Sequence, residues 1–514
     1  MGNDVMKVGG GGGKSPTSPD MSAKGSALPA SPEDRTDIAA AVTRLRGKHR
    51  TMCKEFDYYD GDQPVVYATD QLSAYFKNLT SRFMENWCAP VVDAVLERLT
   101  LNGFDCSEGS ESAKDALEEL MESGGLALEA YDAHAAAVIA GESAIIVTPH
   151  EDAPNEVEVY ANDPRCVQVF YDPRHPKKMR MAAKEYEDEL TGFWHLTLYY
   201  PDRLEHYRSR QDSRPVKGGD YLPLPDDEGG AVDFHDWGRV PVFHFRRNRR
   251  RTTGELAGRV RPQQDMVNKL LADMMVSSEF AGFRQRYAIT NADLSDLEAS
   301  PTDLWKLPPG SDDEGATQVG SFDTTELGNF MGSRTALAEG IAIISHTPKH
   351  YMTGAATPSG EALMAMDAPL TKKVDHYTEL FGETWRELAV FYCHLKGIEV
   401  KGSDVTVLWA NSGIDQPETT SNVVRNYTTA QMPLETTLRE HAGWTPAQLE
   451  RMHEDKETAA EKAPPTFGEI ALKAAAQNLN GAANPRPVPG ATEEPADEPP
   501  GNGKAKTPAN PFAR

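Results

Sequence analysis

Long apolar runs are missing from this chain. Nowhere does an apolar stretch approach the roughly 18 residues a membrane helix needs, so a membrane-spanning class is not expected. Cysteine is scarce: Cys53, Cys88, Cys106, Cys166 and Cys393 are odd in number, widely scattered and never in a C-x-x-C pair. That usage suits a reducing cytosol and argues against a disulfide framework or a zinc site. Positive charge is in deficit, 53 Lys and Arg against 78 Asp and Glu, a net of −25. A protein that grips nucleic acid over its whole surface is therefore excluded, and any DNA contact must be local or repulsive. The N-terminus lacks the charged-then-apolar pattern of a secretory signal.

Motifs that carry chemistry are missing too. Gly9 to Ser15 reads Gly-Gly-Gly-Gly-Gly-Lys-Ser, but the first glycine a phosphate loop requires is Val8, with no strand before it and no helix after it. His346 and His350 are four apart, yet Pro348 lies between them and no Glu follows the first, so they do not form a zinc-binding H-E-x-x-H. Asp226-Asp227-Glu228 and Asp312-Asp313-Glu314 lack EF-hand alternation and read as solvated loops. No G-x-S-x-G elbow is present, and no G-x-G-x-x-G opens a helix. No catalytic residue, metal ligand or cofactor is expected.

What is present, over 514 residues, is enough for several packed layers. Residues 1–34 are Gly, Ser, Pro and Asp with few large apolar side chains, and the end beyond 462 is proline-rich after a short possible helix, Phe467 to Leu479. Both read as disordered tails. Between them a helix is expected near Asp37 to Arg46, then an aromatic turn at Tyr58-Tyr59-Asp60-Gly61. A half-buried helix follows Pro90, and another runs from Leu126 to Ala140 with Gly141 as its stop. Short β-rich runs follow: Ala144 to Thr148, Val157 to Tyr160, Val167 to Tyr171, Trp194 to Tyr200 and Val240 to Phe245.

A helix over Pro262 to Phe280 then leads into a loop-rich excursion, Phe283 to Phe322, with strand-like Tyr287 to Thr290 and a Pro, Gly and Asp cluster near 308–315. Helix returns over Thr325 to Ile344. A 13-residue loop, His346 to Pro358, precedes the longest helix, Ser359 to Lys396. Its stripe, Leu363, Met366, Leu370, Val374, Tyr377, Phe381, Trp385, Leu388, Tyr392 and Leu395, advances in steps of three or four. Pro369 inside it should kink the helix. A strand-like Val405 to Ala410 and two short helices complete the pattern, the second starting at Thr445-Pro446-Ala447-Gln448.

The basic run Arg246-Arg247-Asn248-Arg249-Arg250-Arg251 carries five like charges in six positions, which repel unless phosphate or carboxylate sits opposite. A neighbouring subunit, DNA or solvent remain open as its surroundings.

This order of elements resembles the tailed-bacteriophage portal family, in the branch common among phages of actinobacteria, over about residues 36–455. Local phrases carry the likeness: Tyr58-Tyr59-Asp60-Gly61, Val91-Val92-Asp93 with Arg98-Leu99 and Gly103-Phe104, and Tyr171-Asp172-Pro173. Further matches are Leu198-Tyr199-Tyr200-Pro201-Asp202, Val240-Pro241-Val242 with Asn248-Arg249, Gln264-Asp265 with Asn268-Lys269-Leu270, and Ser359-Gly360-Glu361-Ala362-Leu363.

The resemblance implies a mixed α+β, helix-rich ring subunit: an α+β wing at 35–261, a first stem helix at 262–282, a clip at 283–322 and a second stem helix at 323–345. A tunnel loop at 346–358, a long kinked wing helix at 359–400 and a crown at 401–461 follow. It implies a non-enzymatic ring of about twelve copies at one capsid vertex, made in the host bacterial cytoplasm and resident in the virion. Partners would be double-stranded DNA in the channel, the terminase large subunit, head-completion or adaptor proteins, and the major capsid and scaffold proteins, with no membrane. Within the tunnel loop it points to Lys349, His350, Tyr351, Met352 and Thr353 as DNA-facing. The alternatives are another structural, minor head or scaffold protein of a phage capsid, or a DNA-packaging ATPase or nuclease.

Overall fold

The computed structural model describes residues 36–64, 84–106, 111–122, 125–149, 157–282, 286–289, 318–323, 326–354, 360–410, 417–441, 444 and 446–462. Both expected tails, the Phe467 to Leu479 helix, the cluster near 308–315 and the loop tip at 355–358 lie outside these residues, apart from Lys462.

The first helix, α1 (Thr36–Asp60), is more than twice the expected length. Its buried stripe of Ile38, Ala41, Val42, Leu45, Met52 and Tyr58 runs on past Arg46, through polar positions that hide it from a hydrophobicity reading. Tyr58-Tyr59-Asp60, expected as a turn, is its last turn, and Gly61 at φ +91° follows. Next come α2 (Cys88–Leu96), β1 (Leu101–Asp105), α3 (Glu111–Glu122) and α4 (Leu126–Ala140). Gly141 caps α4 at φ +92°, with its amide on the Ala137 carbonyl, as the sequence predicts.

The β-rich region is larger than its apolar runs suggest. It holds β2 (Glu142–Pro149), β3 (Val157–Asn162), β4 (Val167–Tyr171), β5 (Met179–Glu187), β6 (Trp194–Tyr199), β7 (Arg203–Ser209), β8 (Tyr221–Pro223), β9 (Val232–Phe234) and β10 (Val242–Arg246). Five expected strands are found, with shifted ends in four. β1, β5, β7, β8 and β9 were not foreseen, because they are short or carry charged residues, as β5 does at Glu185, which joins an ion-pair network described below.

Two antiparallel sheets result, one ordered β10-β2-β3 and the other β4-β5-β6-β7-β8 with β9 also on β7. Period-two alternation gives each sheet two apolar faces. Ile145, Val147, Phe243 and Phe245 point into the main core, while Ala144, Ile146 and Val242 meet Val167, Val169, Ala182, Tyr199 and Leu204 of the larger sheet. That sheet's other face, Met181, Ala183, Leu196, Leu198, Tyr207 and Tyr221, is covered by the first turns of α1.

Beyond this block, α5 (Val260–Gly282) leads to a hairpin of β11 (Arg286–Ile289) and β12 (Gln318–Ser321), and α6 (Leu327–Ser345) returns from it. A four-residue helix, α7 (His350–Thr353), precedes α8 (Gly360–Leu395), whose 36 residues span about 54 Å. Leu370, Val374, Tyr377, Phe381, Trp385, Leu388 and Tyr392 of the predicted stripe are buried, and helix continues through an exposed Pro369. β13 (Thr406–Trp409) pairs antiparallel with β1. Two helices, α9 (Pro417–Thr429) and α10 (Leu434–His441), complete this unit. A second unit contains α11 (Pro446–Lys462), which starts on proline at its first position, as expected. Among the described residues three helices thus follow β13, where two were expected before the tail.

Candidate functional site

The segment His346–Gly354, between α6 and α8, begins at a fixed point. His346 is one of two described non-glycine residues at positive φ, +60°, and ends α6 by taking the left-handed conformation. The Thr347 amide then returns to the Ala342 carbonyl (3.0 Å), and the Ser345 hydroxyl meets that of Thr347 (2.9 Å). From α8, the Lys373 ammonium donates to the Ser345 carbonyl (2.7 Å).

The five loop residues do not share one surroundings. Met352 is buried in the main core and anchors α7, while Lys349 and Tyr351 are exposed and His350 and Thr353 are half-buried. Arg98, from the end of α2, joins Tyr351 to the block: it donates to the Tyr351 hydroxyl (2.9 Å) and to the buried Asp367 (2.7 Å). Lys349 lies 3.5 Å from Glu339 at the surface. The first half of the loop is therefore docked on its own subunit.

The arginine run is divided by the turn after β10. Arg247 is drawn inward, with its guanidinium on Glu255 (2.8 Å) and the Tyr377 hydroxyl (2.7 Å). Arg249 pairs with Glu383 of α8 (2.5 Å), and Arg246 lies over the Tyr171 ring at 4.5 Å. Arg250 and Arg251 remain exposed.

Arg247 belongs to a network that the sequence did not announce. Glu255 receives Lys373 (2.7 Å), Arg247 and the Tyr377 hydroxyl (2.9 Å). Burial pushes its pKa up, but the Lys373 and Arg247 charges outweigh burial and hold it below the ordinary carboxylate value. Because Lys373 also holds the Ser345 carbonyl, one closed set of charges ties the arginine run, the long helix and the base of the loop together.

Two other buried carboxylates are satisfied in the same way. Glu185 on β5 takes Arg46, Arg214 and the Tyr221 hydroxyl. Glu142 on β2 takes Lys48 (2.8 Å), Thr252 (3.2 Å) and His244 (3.2 Å). Burial opposes the Glu142 charge, yet the His244 hydrogen bond and the Lys48 charge win and hold it at about 2.

At the centre of the main core His134 is neutral: its Nδ1–H donates to the Leu99 carbonyl (3.2 Å) and its Nε2 accepts from the Trp385 indole (2.8 Å). Burial depresses it to about 3. Side-chain exchange of this kind has no spacing signature, since the partners are 35 and 251 residues away.

Among the described residues no group of three or more His, Cys, Asp or Glu is placed to hold a metal, and no described helix is long and apolar enough to cross a membrane. The polar clusters are internal networks that brace a two-sheet block, from which the helix pair α5 and α6 continues.

The family model "Phage portal protein, SPP1 Gp6-like" matches residues 48–462, and the chain belongs to that family of phage structural proteins. The portal protein of Mycobacterium phage D29 is 26% identical over 329 residues, 60% of this chain and 64% of that protein. The portal protein of Mycobacterium phage L5 is 26% identical over 330 residues, with the same shares. The chain thus spans about two thirds of the length of each, a little under. A chain from the virion of a native gene transfer agent particle aligns with 76% of this chain and 94% of its own, at 14% identity and a TM-score of 0.36.

Proposed function

We propose that the chain is the portal subunit of a tailed phage. About a dozen copies close into a ring at one capsid vertex by head-to-tail contacts. Double-stranded DNA enters and leaves through the centre. The ring docks the terminase large subunit during packaging and head-completion proteins afterwards, with major capsid and scaffold proteins around it. It is assembled in the host cytoplasm and ends in the virion. In this reading the α+β block is the wing, α5 and α6 the stem, the hairpin region the clip, and 401–461 the crown. Lys349, His350, Tyr351 and Thr353 present the tunnel loop to DNA with Met352 as its anchor. Pro369 is where the long helix bends, and Arg250 and Arg251 reach a neighbouring copy or DNA.

The observation that carries this reading is the helix pair. Among their described side chains, α5 and α6 are buried only where they meet the block, at Val260, Gln264, Val267 and Asn268 and at Ala338, Ile341, Ala342 and Ser345. On the face of α5 turned from the block Met266 is 57% exposed, further along α6 Met331 (47%) and Leu327 stay in solvent, and the hairpin adds Tyr287, Ile289, Val319 and Phe322. Apolar surface in such quantity calls for partners, and copies in a ring supply them.

Negative-stain microscopy of the purified full chain tests it: rings with a central hole are expected, and a compact monomer at high concentration in moderate salt would overturn it. The ring should neither hydrolyse ATP nor cut DNA. Turnover that co-purifies with it and disappears on changing a single Asp or Lys would show an active site.

A further inference from the structure

The wall of the block holds a groove of about 830 Å³ between the turn after β4, strand β10 and the middle of α8. Its floor is polar and closed: the Tyr171 hydroxyl meets His244 Nδ1 (3.0 Å), and His244 Nε2 meets Glu142. Its rim is basic. Lys177, Lys178, Arg239, Arg246 and Arg249 line it against two carboxylates, Glu383 and Glu387. Those two are already paired, with Arg249 (2.5 Å) and Arg239 (3.1 Å). Among the described residues no carboxylate pairs with Lys177, Lys178 or Arg246, so in a chain of net −25 this groove keeps three uncompensated cations.

The complementary surface lies on the same chain. Helix α3 buries Ala113, Ala116, Leu117 and Leu120 and turns Asp115, Glu118 and Glu122 to solvent. These three, at i, i+3 and i+7, form one ridge. Among the described residues no cation pairs with them, while their neighbour Glu119 is held by Lys396 (2.8 Å).

The two surfaces face opposite ways. Leu380, Glu383, Thr384 and Glu387 form the stripe of α8 that lines the groove. Lys396, whose amide still bonds to the Tyr392 carbonyl, is sixteen residues from Leu380, about 160° round the helix at about 100° per residue. Gly382, on that far side, faces Trp409 of β13, the strand paired with β1, against which α3 packs. A ridge and a groove of opposite charge on opposite faces of one helix cannot meet within a subunit.

We propose that the basic groove receives the α3 ridge of a second copy of this chain, with Lys177, Lys178 and Arg246 opposite Asp115, Glu118 and Glu122. The inference rests on the ring reading and names one of its interfaces. Such contacts set register and direction round a ring more than they add to its affinity, because like-charged alternatives repel.

The test uses two full-length variants with exposed charges reversed: a groove variant, Lys177→Glu with Lys178→Glu, and a ridge variant, Glu118→Lys with Glu122→Lys. Each alone places like charges across every interface, and each should lose the ring by light scattering and microscopy. Mixed in equal amounts they alternate, every interface regains opposite signs, and rings should return. That recovery also shows that both variants fold. Rings from either variant alone, or no recovery on mixing, overturn the inference. Normal rings from the groove variant with weakened DNA retention would overturn it in favour of DNA as the occupant. Failure of the unmodified chain to form rings removes the ring reading itself, a result distinguishable from the others.

Discussion

The α+β block and the α5–α6 pair use similar apolar side chains under opposite conditions. In the block, Phe243, Phe245, Phe381 and Trp385 are almost fully enclosed, and every buried carboxylate network has cations or hydroxyls on it. In the pair, enclosure stops within about two turns of the block, and Ile343, although close to its end, is 59% exposed. Gly340 sits tightly against Gln263, so the two helices approach closely at that end, and Arg334 reaches back to Glu85 (2.7 Å). The block can hold itself together as a single chain. The pair is attached to it at one end, and much of its apolar surface finds no cover among the described residues. Stability therefore resides in the block, and on the ring reading the pair's exposed side chains are surface for neighbouring copies, beside the block's charged groove and ridge.

Removing Trp385 should give the largest effect that breaks this contrast. Trp385→Ala empties a large volume in the core, about 3–5 kcal/mol, and leaves His134 Nε2 without its donor, about 1–3 kcal/mol more. Thermal or urea unfolding should show most of the chain's stability lost. Met331→Ala on the pair should change the unfolding of the unassembled chain by less than about 1 kcal/mol and, on the ring reading, weaken assembly instead. Equal losses from the two substitutions would mean that the pair belongs to the same core.

Acid should find the block next. His134 is held at about 3 in the folded chain against 6.5 when free, so the unfolded chain takes up the proton first. Its contribution is complete above about pH 6.5, declines as pH falls and is gone near pH 3, on the order of 5 kcal/mol in all. Glu142, held at about 2 against 4.5, adds on the order of 3 kcal/mol that is lost between those values. Urea midpoints should therefore fall steadily below pH 6.5, and His134→Gln should flatten the upper part of that slope. A midpoint that stays level from pH 7 to 5 would contradict the neutral, enclosed histidine.

The arrangement could be read in advance where one helix face or one turn residue determined it. The α8 stripe, the Gly141 stop and the helix–excursion–helix order all follow from local spacing. The charge networks could not be read, because Glu185 depends on Arg46, Arg214 and Tyr221, and Glu255 on Lys373, all distant in sequence. Glu185 in this way concealed β5, and Lys48, paired with the distant Glu142, helped conceal the second half of α1: a buried Glu or Lys looks like a solvent face until its partner is known. Met352, the residue that fixes α7, is one apolar side chain in a polar loop, and nothing in the spacing separates an anchor from a tip.

Lys373→Met should have a middling effect, about 3 kcal/mol, since it leaves Glu255 with Arg247 and Tyr377 but removes the donor on the Ser345 carbonyl. The loop base should loosen while the block stays folded, visible as faster amide exchange at His346 to Met352 than at Ile145 or Val147. Uniform acceleration across both would show that the network supports the block as a whole.

The smallest stability effect belongs to Lys349→Ala. Its ammonium is exposed and 3.5 Å from an equally exposed Glu339, and pairs of this kind are worth about 0–1 kcal/mol. Unfolding should therefore barely change. If the loop faces passing DNA in the ring, the consequence appears in packaging, as a modest loss that grows as salt is lowered, because the ammonium's contact with phosphate is screened at high salt. Shortening the chain between Thr353 and Thr357 should cost far more packaging while sparing assembly, because Met352 and the Arg98–Tyr351 contact still hold the loop's first half. Full-length DNA packaged at normal yield by a ring with the shortened loop would place the constriction elsewhere.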